Sequence, residues 1–379
     1  MSSNRQQDNA AQCLVAAGLK ARVYLPTDVV YTERSESYWC NSARLRPGCI
    51  FQPTSVDEVA VAVKALADAQ QNFAVRSGGR MNWSGSNDID GGGGSNNFSI
   101  VTQFVMRTFL NSAFWGGFVI CPMDSLPAAR EAVSKFTTGS QPDLDSTLNL
   151  AICHNAQFGG ALIVALCTNV AGVENAAAFG RISKMPQTVT NLKMTSMAEL
   201  ITYASFPTGF YNIWYTICVK NDTSIITKAA ELYASMASRA EEKVSDGDFT
   251  SHCSLKPIPT EYVTNGSGAA GENMLGLERY PHDAVLMQAS ISVRTPELAE
   301  WARPEVRRMI QGVQDFAESV PDGLCPWLYL NYANPEQEVL QSYGPENLDK
   351  MRKVASKYDP YGVFQRLCPG GFKISNVKT

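Results

Sequence analysis

A glycine turn near the start of the chain, Arg76-Ser77-Gly78-Gly79, has the composition of a phosphate-binding loop. It follows residues 72–76, whose apolar character predicts a strand. Glycine adopts positive φ and lets the backbone approach a ligand closely, so the amides of such a turn can converge on phosphate oxygens. Gly-Gly is also common in ordinary strand-to-loop turns. The turn alone therefore permits a phosphate site without establishing one.

Acid–base candidates are few. The chain has three histidines, His154, His252 and His282, and nothing in their local sequence marks any of them for catalysis, which favours core or surface roles. No Ser-His-Asp arrangement or Gly-x-Ser-x-Gly elbow is present, so a serine nucleophile is not indicated. The ten cysteines are dispersed without a C-x-x-C pair, and several lie in apolar strings. They are predicted to be small buried side chains, and no metal site is expected.

An ordered series of elements leads to the glycine turn. Residues 49–51 predict a short strand that ends at Pro53. Ser55 is predicted to cap the N-terminus of a helix, with Glu58 three residues later as its capping-box partner. Apolar residues between positions 56 and 67 follow helical spacing and give one apolar face. The predicted unit is strand, helix, strand and glycine turn.

The remaining elements are predicted from periodicity. Residues 91–97 are the one low-complexity patch and have the composition of a linker, and residues 98–104 predict a strand. Apolar stretches at 161–166 and 284–291 predict strands of an antiparallel sheet with helices on one side. A helix is predicted near 346–357, where Asp359-Pro360 stops it.

Three segments together resemble one family. Residues 53–59, a helix and then residues 73–79 resemble the start of the flavin-binding domain in the vanillyl-alcohol oxidase and p-cresol methylhydroxylase (PCMH-type) superfamily. In that family the glycine loop holds the flavin pyrophosphate. The resemblance therefore implies that Arg76, Ser77, Gly78 and Gly79 bind FAD.

The other two matches lie further along the chain. Residues 93–102, Gly-Gly-Ser-Asn-Asn-Phe-Ser-Ile-Val-Thr, resemble the strand that closes the family's flavin domain. Residues 329–335 and 357–364 resemble the C-terminus of berberine-bridge-like enzymes, where an Asn-Tyr pair lies near the isoalloxazine ring. This implies that Asn331 contacts the cofactor. It makes Tyr332 the catalytic candidate, a phenol that orients substrate or assists proton removal during hydride transfer.

The chain departs from the family pattern at the residue after the glycine turn. The family usually has a histidine there that bonds covalently to the flavin ring, whereas this chain has Arg80. Arginine stays protonated and is no nucleophile toward the ring. Any FAD is therefore expected to be bound non-covalently at this position. Arg80 can neutralise a phosphate or the flavin N1 region, or can be a solvated loop residue.

A second departure is a missing segment. The family places a long segment, with further strands and another phosphate loop, between two glycine-containing motifs that abut here at Gly91 to Gly94. The apparent linker is thus interpreted as a deletion scar, from loss of the segment or from a skipped exon in the gene model. Apolar groups on Val101, Phe104 and the helix face of residues 56–67 are then expected to be partly uncovered.

Composition limits the function classes. With 379 residues, a net charge of −4 and scattered Lys and Arg, the chain has no basic patch for nucleic acid. No stretch is long and apolar enough for a membrane span, and the N-terminal residues contain no signal-peptide apolar region. These features predict a cytoplasmic protein, and secretion stays open if the N-terminus given is incomplete.

The sequence predicts an α+β fold: a truncated PCMH-type FAD-binding domain plus a substrate domain with an antiparallel sheet and helices. The predicted parts are residues 1–115 (FAD domain), 116–325 (substrate domain) and 326–379 (a segment returning to the FAD domain). The implied function is oxidation of a small organic substrate, with FAD as cofactor and molecular oxygen as acceptor, in a fungal secondary-metabolite pathway. The alternatives are a flavin-free pseudoenzyme or binding protein, and a cyclase that only positions a reactive substrate.

Overall fold

The structure is a computed structural model that describes residues 2–79, 81–83, 96–104, 113–137, 143–155, 160–203, 207–245, 247–266 and 273–378. Arg80 and the Gly91–Gly94 junction lie outside the described residues.

Helices and strands are numbered in chain order. The helices are α1 Ser2–Ala16, α2 Val29–Glu36, α3 Val56–Asp68, α4 Leu126–Phe136, α5 Met197–Tyr203, α6 Thr223–Lys243, α7 Thr260–Gly266, α8 Pro296–Glu318, α9 Val339–Ser342, α10 Pro345–Tyr358 and α11 Val363–Arg366. The strands are β1 Val23–Tyr24, β2 Ile50–Phe51, β3 Phe114–Pro122, β4 Ser146–Asn155, β5 Gly160–Asn169, β6 Val189–Thr190, β7 Lys193–Thr195, β8 Tyr211–Lys220, β9 Thr250–Ile258, β10 Ala284–Val293 and β11 Leu324–Cys325.

The chain packs as two compact units. Unit 1 contains Met1–Met106 and Gly344–Thr379, and unit 2 contains Arg107–Tyr343. The breaks in Cα packing thus fall after residues 106 and 343. The predicted assignment of FAD and substrate domains at 1–115, 116–325 and 326–379 stays a prediction.

Unit 2 is built on one antiparallel sheet. Among the described residues its strand order is β11-β8-β10-β9-β4-β5-β3-β6, with β7 also paired to β3. Helices α4, α6 and α8 pack on one face. Alternate strand residues such as Leu150, Leu255 and Met287 are buried beneath these helices in the main apolar core. The predicted α+β class, with an antiparallel sheet and helices on one side, is confirmed, as are the strands at 161–166 and 284–291 (within β5 and β10).

Helix α3 of unit 1 begins as the sequence predicts. Ser55 has extended backbone angles, and its Oγ accepts a hydrogen bond from the Glu58 N–H at 3.1 Å. The Glu58 carboxylate reaches back to the backbone N–H of Thr54 at 2.6 Å, one residue before the cap. This bond is the first cause of a lowered Glu58 pKa. The cap fixes where α3 starts because it satisfies N–H groups that lack a partner within the helix.

Two predicted strands of unit 1 are wrong. Residues 72–76 and 98–104 form no ladder with any described strand. At the first, the Phe73 N–H donates to the Leu367 carbonyl at 2.8 Å, a single bond to a non-strand residue. Alternating apolar residues favour extended backbone, but a strand also needs a neighbour with free peptide groups.

Unit 1 carries an open apolar groove along α3. It has a volume of about 440 Å³, and Val56, Val59, Val63, Ile100 and Phe364 are among the residues that line it. Val56 is 60% exposed, and the nearby Phe104 is 52% exposed. The expectation of uncovered apolar surface is therefore confirmed for these two residues.

Candidate active site

The sheet of unit 2 has a polar face opposite its helices. Strand β9 places His252, Ser254 and Lys256 on this face, because its alternate residues Cys253 and Leu255 lie in the helix-side core. The register sets Ser290 beside His252, with Trp214 of β8 next in the row. Hydroxyl, imidazole and ammonium groups are thus aligned on adjacent strands, an arrangement suited to binding a polar ligand.

Lys256 is the cation of this row. Among the described residues no Asp or Glu carboxylate lies within ion-pair distance of it. Burial lowers the pKa of Lys256 to about 8. A partly buried ammonium without a carboxylate is costly, so it favours an acidic hydroxyl or an anion as its partner.

Tyr332 provides that partner. The Lys256 Nζ donates to the Tyr332 hydroxyl and also lies 4.2 Å from the centre of the Tyr332 ring. The ring packs edge-to-face against Trp214, with centroids 6.4 Å apart, and against Tyr329, with centroids 5.0 Å apart. Tyr332 ends a short 3-10 turn, Leu330–Tyr332. The polar face of the sheet thus contacts Tyr332.

Asn331 is placed in the same turn. Its Nδ2 donates to the Tyr329 hydroxyl at 3.0 Å, which fixes its amide within the aromatic cluster of Tyr329 and Tyr332. The structure therefore brings Asn331 and Tyr332, the two predicted site residues of the tail, together on the polar side of unit 2. A cofactor contact by Asn331 stays a prediction.

His252 is held as a neutral imidazole. Its Nδ1 lies 2.8 Å from the Ser290 Oγ on the neighbouring strand. Burial is the main cause that lowers its pKa to about 4, and the charge of Lys256 lowers it further. A neutral imidazole in this row can donate or accept one hydrogen bond without adding a second positive charge beside Lys256.

The glycine turn lies in unit 1. Ser77 and Gly78 are exposed, and Gly79 has a left-handed backbone with φ of 64°. In the described part of the chain, no acceptor is recorded for the backbone N–H groups of residues 77–79. Gly79 itself is buried, so the exposed amides are those of Ser77 and Gly78. Successive N–H groups beside a left-handed glycine can bind anionic oxygens.

Arg76 has a different placement from that expected of a ligand contact. Its guanidinium donates to the Arg34 carbonyl at 2.9 Å and the Ser37 carbonyl at 3.3 Å, where helix α2 ends. It also stacks over the Tyr38 ring, 3.7 Å from the centroid. These contacts use Arg76 to cap α2 and hold the turn, so its predicted FAD contact stays a prediction.

Solved structures and curated relatives were compared with the chain. Physcomitrella patens BBE-like 1 (BBE, berberine bridge enzyme) superposes with a TM-score of 0.67 at 11% identity, covering 94% of this chain and 97% of that chain. The chain has the berberine-bridge-enzyme-like fold. At this identity the likeness is one of fold, and it confirms the resemblance inferred from the three sequence segments. No family model matches the chain.

The curated relatives compared with this chain are fungal. The chain is 29% identical over 286 residues to the FAD-dependent monooxygenase drtC of Aspergillus calidoustus, covering 75% of this chain and 54% of the relative. It is 30% identical over 295 residues to the FAD-dependent monooxygenase sdcF of Emericella nidulans, covering 75% of this chain and 60% of the relative. The chain thus spans little more than half the length of these relatives.

Two residues of the polar face, Lys256 and His252, were not predicted as site residues from the sequence. Lys256 stands in Ser254-Leu255-Lys256-Pro257, where alternation places it opposite Leu255, a signal that could have marked it as a polar residue on a sheet face. His252 was considered but favoured for a core or surface role. Its partner Ser290 is 38 residues away, so no local pattern reveals the pair.

Metal and membrane features were also searched. Among the described residues, no three His, Cys, Asp or Glu side chains are arranged to hold a metal ion. Within the same part of the chain, no helix has the length and apolar character needed to cross a membrane.

Proposed function

We propose that the chain is an FAD-linked oxidoreductase that oxidises a small organic substrate, with molecular oxygen as the electron acceptor. The observation that carries the proposal is the contact between Lys256 and Tyr332 on the polar face of a berberine-bridge-enzyme-like fold. The fungal relatives, which are named FAD-dependent monooxygenases, support FAD as the cofactor. A place in a fungal secondary-metabolite pathway is part of the proposal.

The glycine turn is proposed to hold the FAD diphosphate. The N–H groups of Ser77, Gly78 and Gly79 would bind its oxygens, while Arg76 holds the turn and Arg80 supplies positive charge. Because Arg80 cannot form a covalent bond to the ring, binding at this position is non-covalent. Asn331 would contact the flavin ring. FAD, when bound, supplies the hydride acceptor.

Tyr332 is proposed as the catalytic residue. Its hydroxyl would bind the substrate group that loses a proton as hydride leaves, and Lys256 would stabilise negative charge on that oxygen or on the substrate. Lys256 with a pKa of about 8 can itself exchange a proton near neutral pH. Trp214 and Tyr329 hold the phenol ring in place and exclude water from one side of it.

The test compares Tyr332→Phe with the unchanged protein after reconstitution with FAD. Oxygen consumption is followed with a panel of small alcohols and phenols, and FAD affinity is measured in parallel. We expect turnover to fall about 100-fold, a usual magnitude for lost acid–base assistance, with FAD affinity unchanged. Equal losses of turnover and FAD affinity would make Tyr332 a structural residue.

The junction at Gly91–Gly94 favours one other candidate. It is interpreted as a deletion scar, and the second phosphate loop that the family resemblance implies would then be absent between the two glycine motifs. A flavin-free binding protein or cyclase would keep the polar face of unit 2 without needing the glycine turn. Such a protein would bind small molecules on unit 2 while binding no FAD.

A further inference from the structure

Strand β8 has an incomplete neighbour on one side. Among the described strands, β10 pairs with β8 along its whole length, whereas β11 pairs only with Cys218 and Val219. The part of β8 before Cys218 therefore presents backbone groups that another strand would otherwise bind. This is the part of β8 that carries Trp214 and Thr216.

Two amide side chains of the tail take the place of the missing strand. Gln337 Oε1 accepts from the Thr216 N–H at 3.1 Å, and Gln337 Nε2 donates to the Thr216 carbonyl at 2.7 Å. Asn334 Nδ2 donates to the Trp214 carbonyl at 2.9 Å. A primary amide has the same donor and acceptor pair as a peptide group. Gln337 therefore forms hydrogen bonds with both backbone groups of Thr216, as a paired strand would.

The same side chains close the tail into a rigid turn. Gln337 Oε1 also accepts from the Asn334 N–H at 3.0 Å, and the Gln337 N–H donates to the Asn334 carbonyl at 2.9 Å. The Glu336 carboxylate accepts from the Tyr215 hydroxyl at 2.6 Å and lies 2.6 Å from the Arg307 guanidinium of α8. Residues 334–337 are thus tied both to the edge of β8 and to a helix beneath the sheet.

Tyr332 lies two residues before this turn, and its ring contacts Trp214 and Lys256. We propose that Gln337 is a positioning residue, whose paired hydrogen bonds to Thr216 hold the tail so that Tyr332 covers Lys256. Its consequence for catalysis rests on the proposed function. The geometry itself involves only unit 2.

The test measures how Lys256 responds when the tail is released. The rate of acetylation of Lys256 is followed against pH by mass spectrometry on the full chain, since only the free amine reacts. Burial sets the pKa of Lys256 at about 8, and the Tyr332 ring contributes to that burial. Tyr332→Ala is the reference variant, because it removes the ring that covers Lys256.

Asn221→Ala is the matched control. Asn221 is also an amide at the end of β8, and its Nδ2 donates to the Ser134 carbonyl at 2.9 Å and the Thr137 hydroxyl at 2.6 Å. Among the described residues, it shares no hydrogen bond with residues 329–337. We expect its loss to lower the melting temperature by an amount similar to that of Gln337→Ala, while the acetylation midpoint stays near 8.

In Gln337→Ala and Tyr332→Ala we expect the acetylation midpoint to rise by about one pH unit, toward the ordinary lysine value of about 10.4, because water reaches the ammonium. Below the midpoint this lowers the reactive amine about tenfold. If Gln337→Ala does not fold, Gln337→Glu carries the same expectation, since it keeps the side-chain volume but loses the donor to the Thr216 carbonyl.

A midpoint that stays near 8 in the folded Gln337 variants would overturn the proposal, and so would an unchanged midpoint in Tyr332→Ala. Flavin content is measured separately on the same samples. A chain that binds no FAD but shows the expected rise would contradict the proposed function and leave the positioning role of Gln337 supported.

Discussion

His252 makes the stability of unit 2 depend on pH. Burial lowers its pKa to about 4, from an ordinary value of 6.5. Between these two values the unfolded chain binds a proton that the folded chain does not. Stability is therefore fully present above pH 6.5 and falls as the pH is lowered from 6.5 to about 4. Stability depends on pH in this way because protonating the buried His252 imidazole beside Lys256 costs free energy.

The size of the effect follows from the two pKa values. Their difference corresponds to about 3 kcal/mol, a large part of the usual stability of a domain. His252→Gln removes the titration but keeps an amide that can bind the Ser290 hydroxyl, which in the unchanged chain lies 2.8 Å from the imidazole. We therefore expect the free energy of unfolding of the variant to fall by about 3 kcal/mol less than that of the unchanged chain between pH 7 and pH 4.

The assay is urea unfolding followed by tryptophan fluorescence at several pH values in that range. His282→Gln is the control, because His282 is 38% exposed and lies 3.5 Å from the surface carboxylate of Asp322. Carboxylates that titrate in this range do so in all three proteins and cancel in the comparison. Parallel pH dependences for His252→Gln and the unchanged chain would refute the assignment of a buried neutral imidazole.

Three further predictions concern unit 1. Ser55→Ala should destabilise the chain by about 1 kcal/mol because the Glu58 N–H loses its cap, which thermal unfolding measures; an unchanged melting temperature would contradict the cap. Gly79→Ala should cost about 1–2 kcal/mol, since φ is 64° and the new Cβ would lie 3.0 Å from the Arg76 Nε. It should also weaken FAD binding. An FAD affinity equal to that of the unchanged chain would show that the turn does not bind the cofactor. Val56→Lys should reduce binding of an apolar dye to the groove along α3. It should cause no loss of stability, because Val56 is 60% exposed. Unchanged dye binding would show that the dye does not bind in this groove.

Local signals account for the parts of the fold that could be predicted. The capped start of α3, the strands within β5 and β10 and the helix α10 each depend on residues within one short window, so spacing and capping chemistry sufficed. The strands predicted at 72–76 and 98–104 failed because a ladder requires a second segment, and sequence alternation contains no information on whether that segment is present.

The candidate site could be predicted only in part. The resemblance led to Tyr332, but its partner Lys256 is 76 residues away on β9 and was found only from the structure. Gln337 is likewise defined by Thr216, 121 residues earlier. Such pairs depend on the register of the sheet and on the path of the tail across β8, which no local pattern specifies.

Binding of FAD by this 379-residue chain tests the central claim most directly. The purified chain is titrated with FAD, bound flavin is followed by visible absorption, and the protein is then precipitated with acid. The account predicts saturable binding and release of all flavin into the supernatant, since Arg80 forms no covalent bond. It also predicts an affinity below that of a form carrying the segment that is interpreted as deleted at Gly91–Gly94. Absence of saturable binding, or flavin retained in the precipitate, would contradict it.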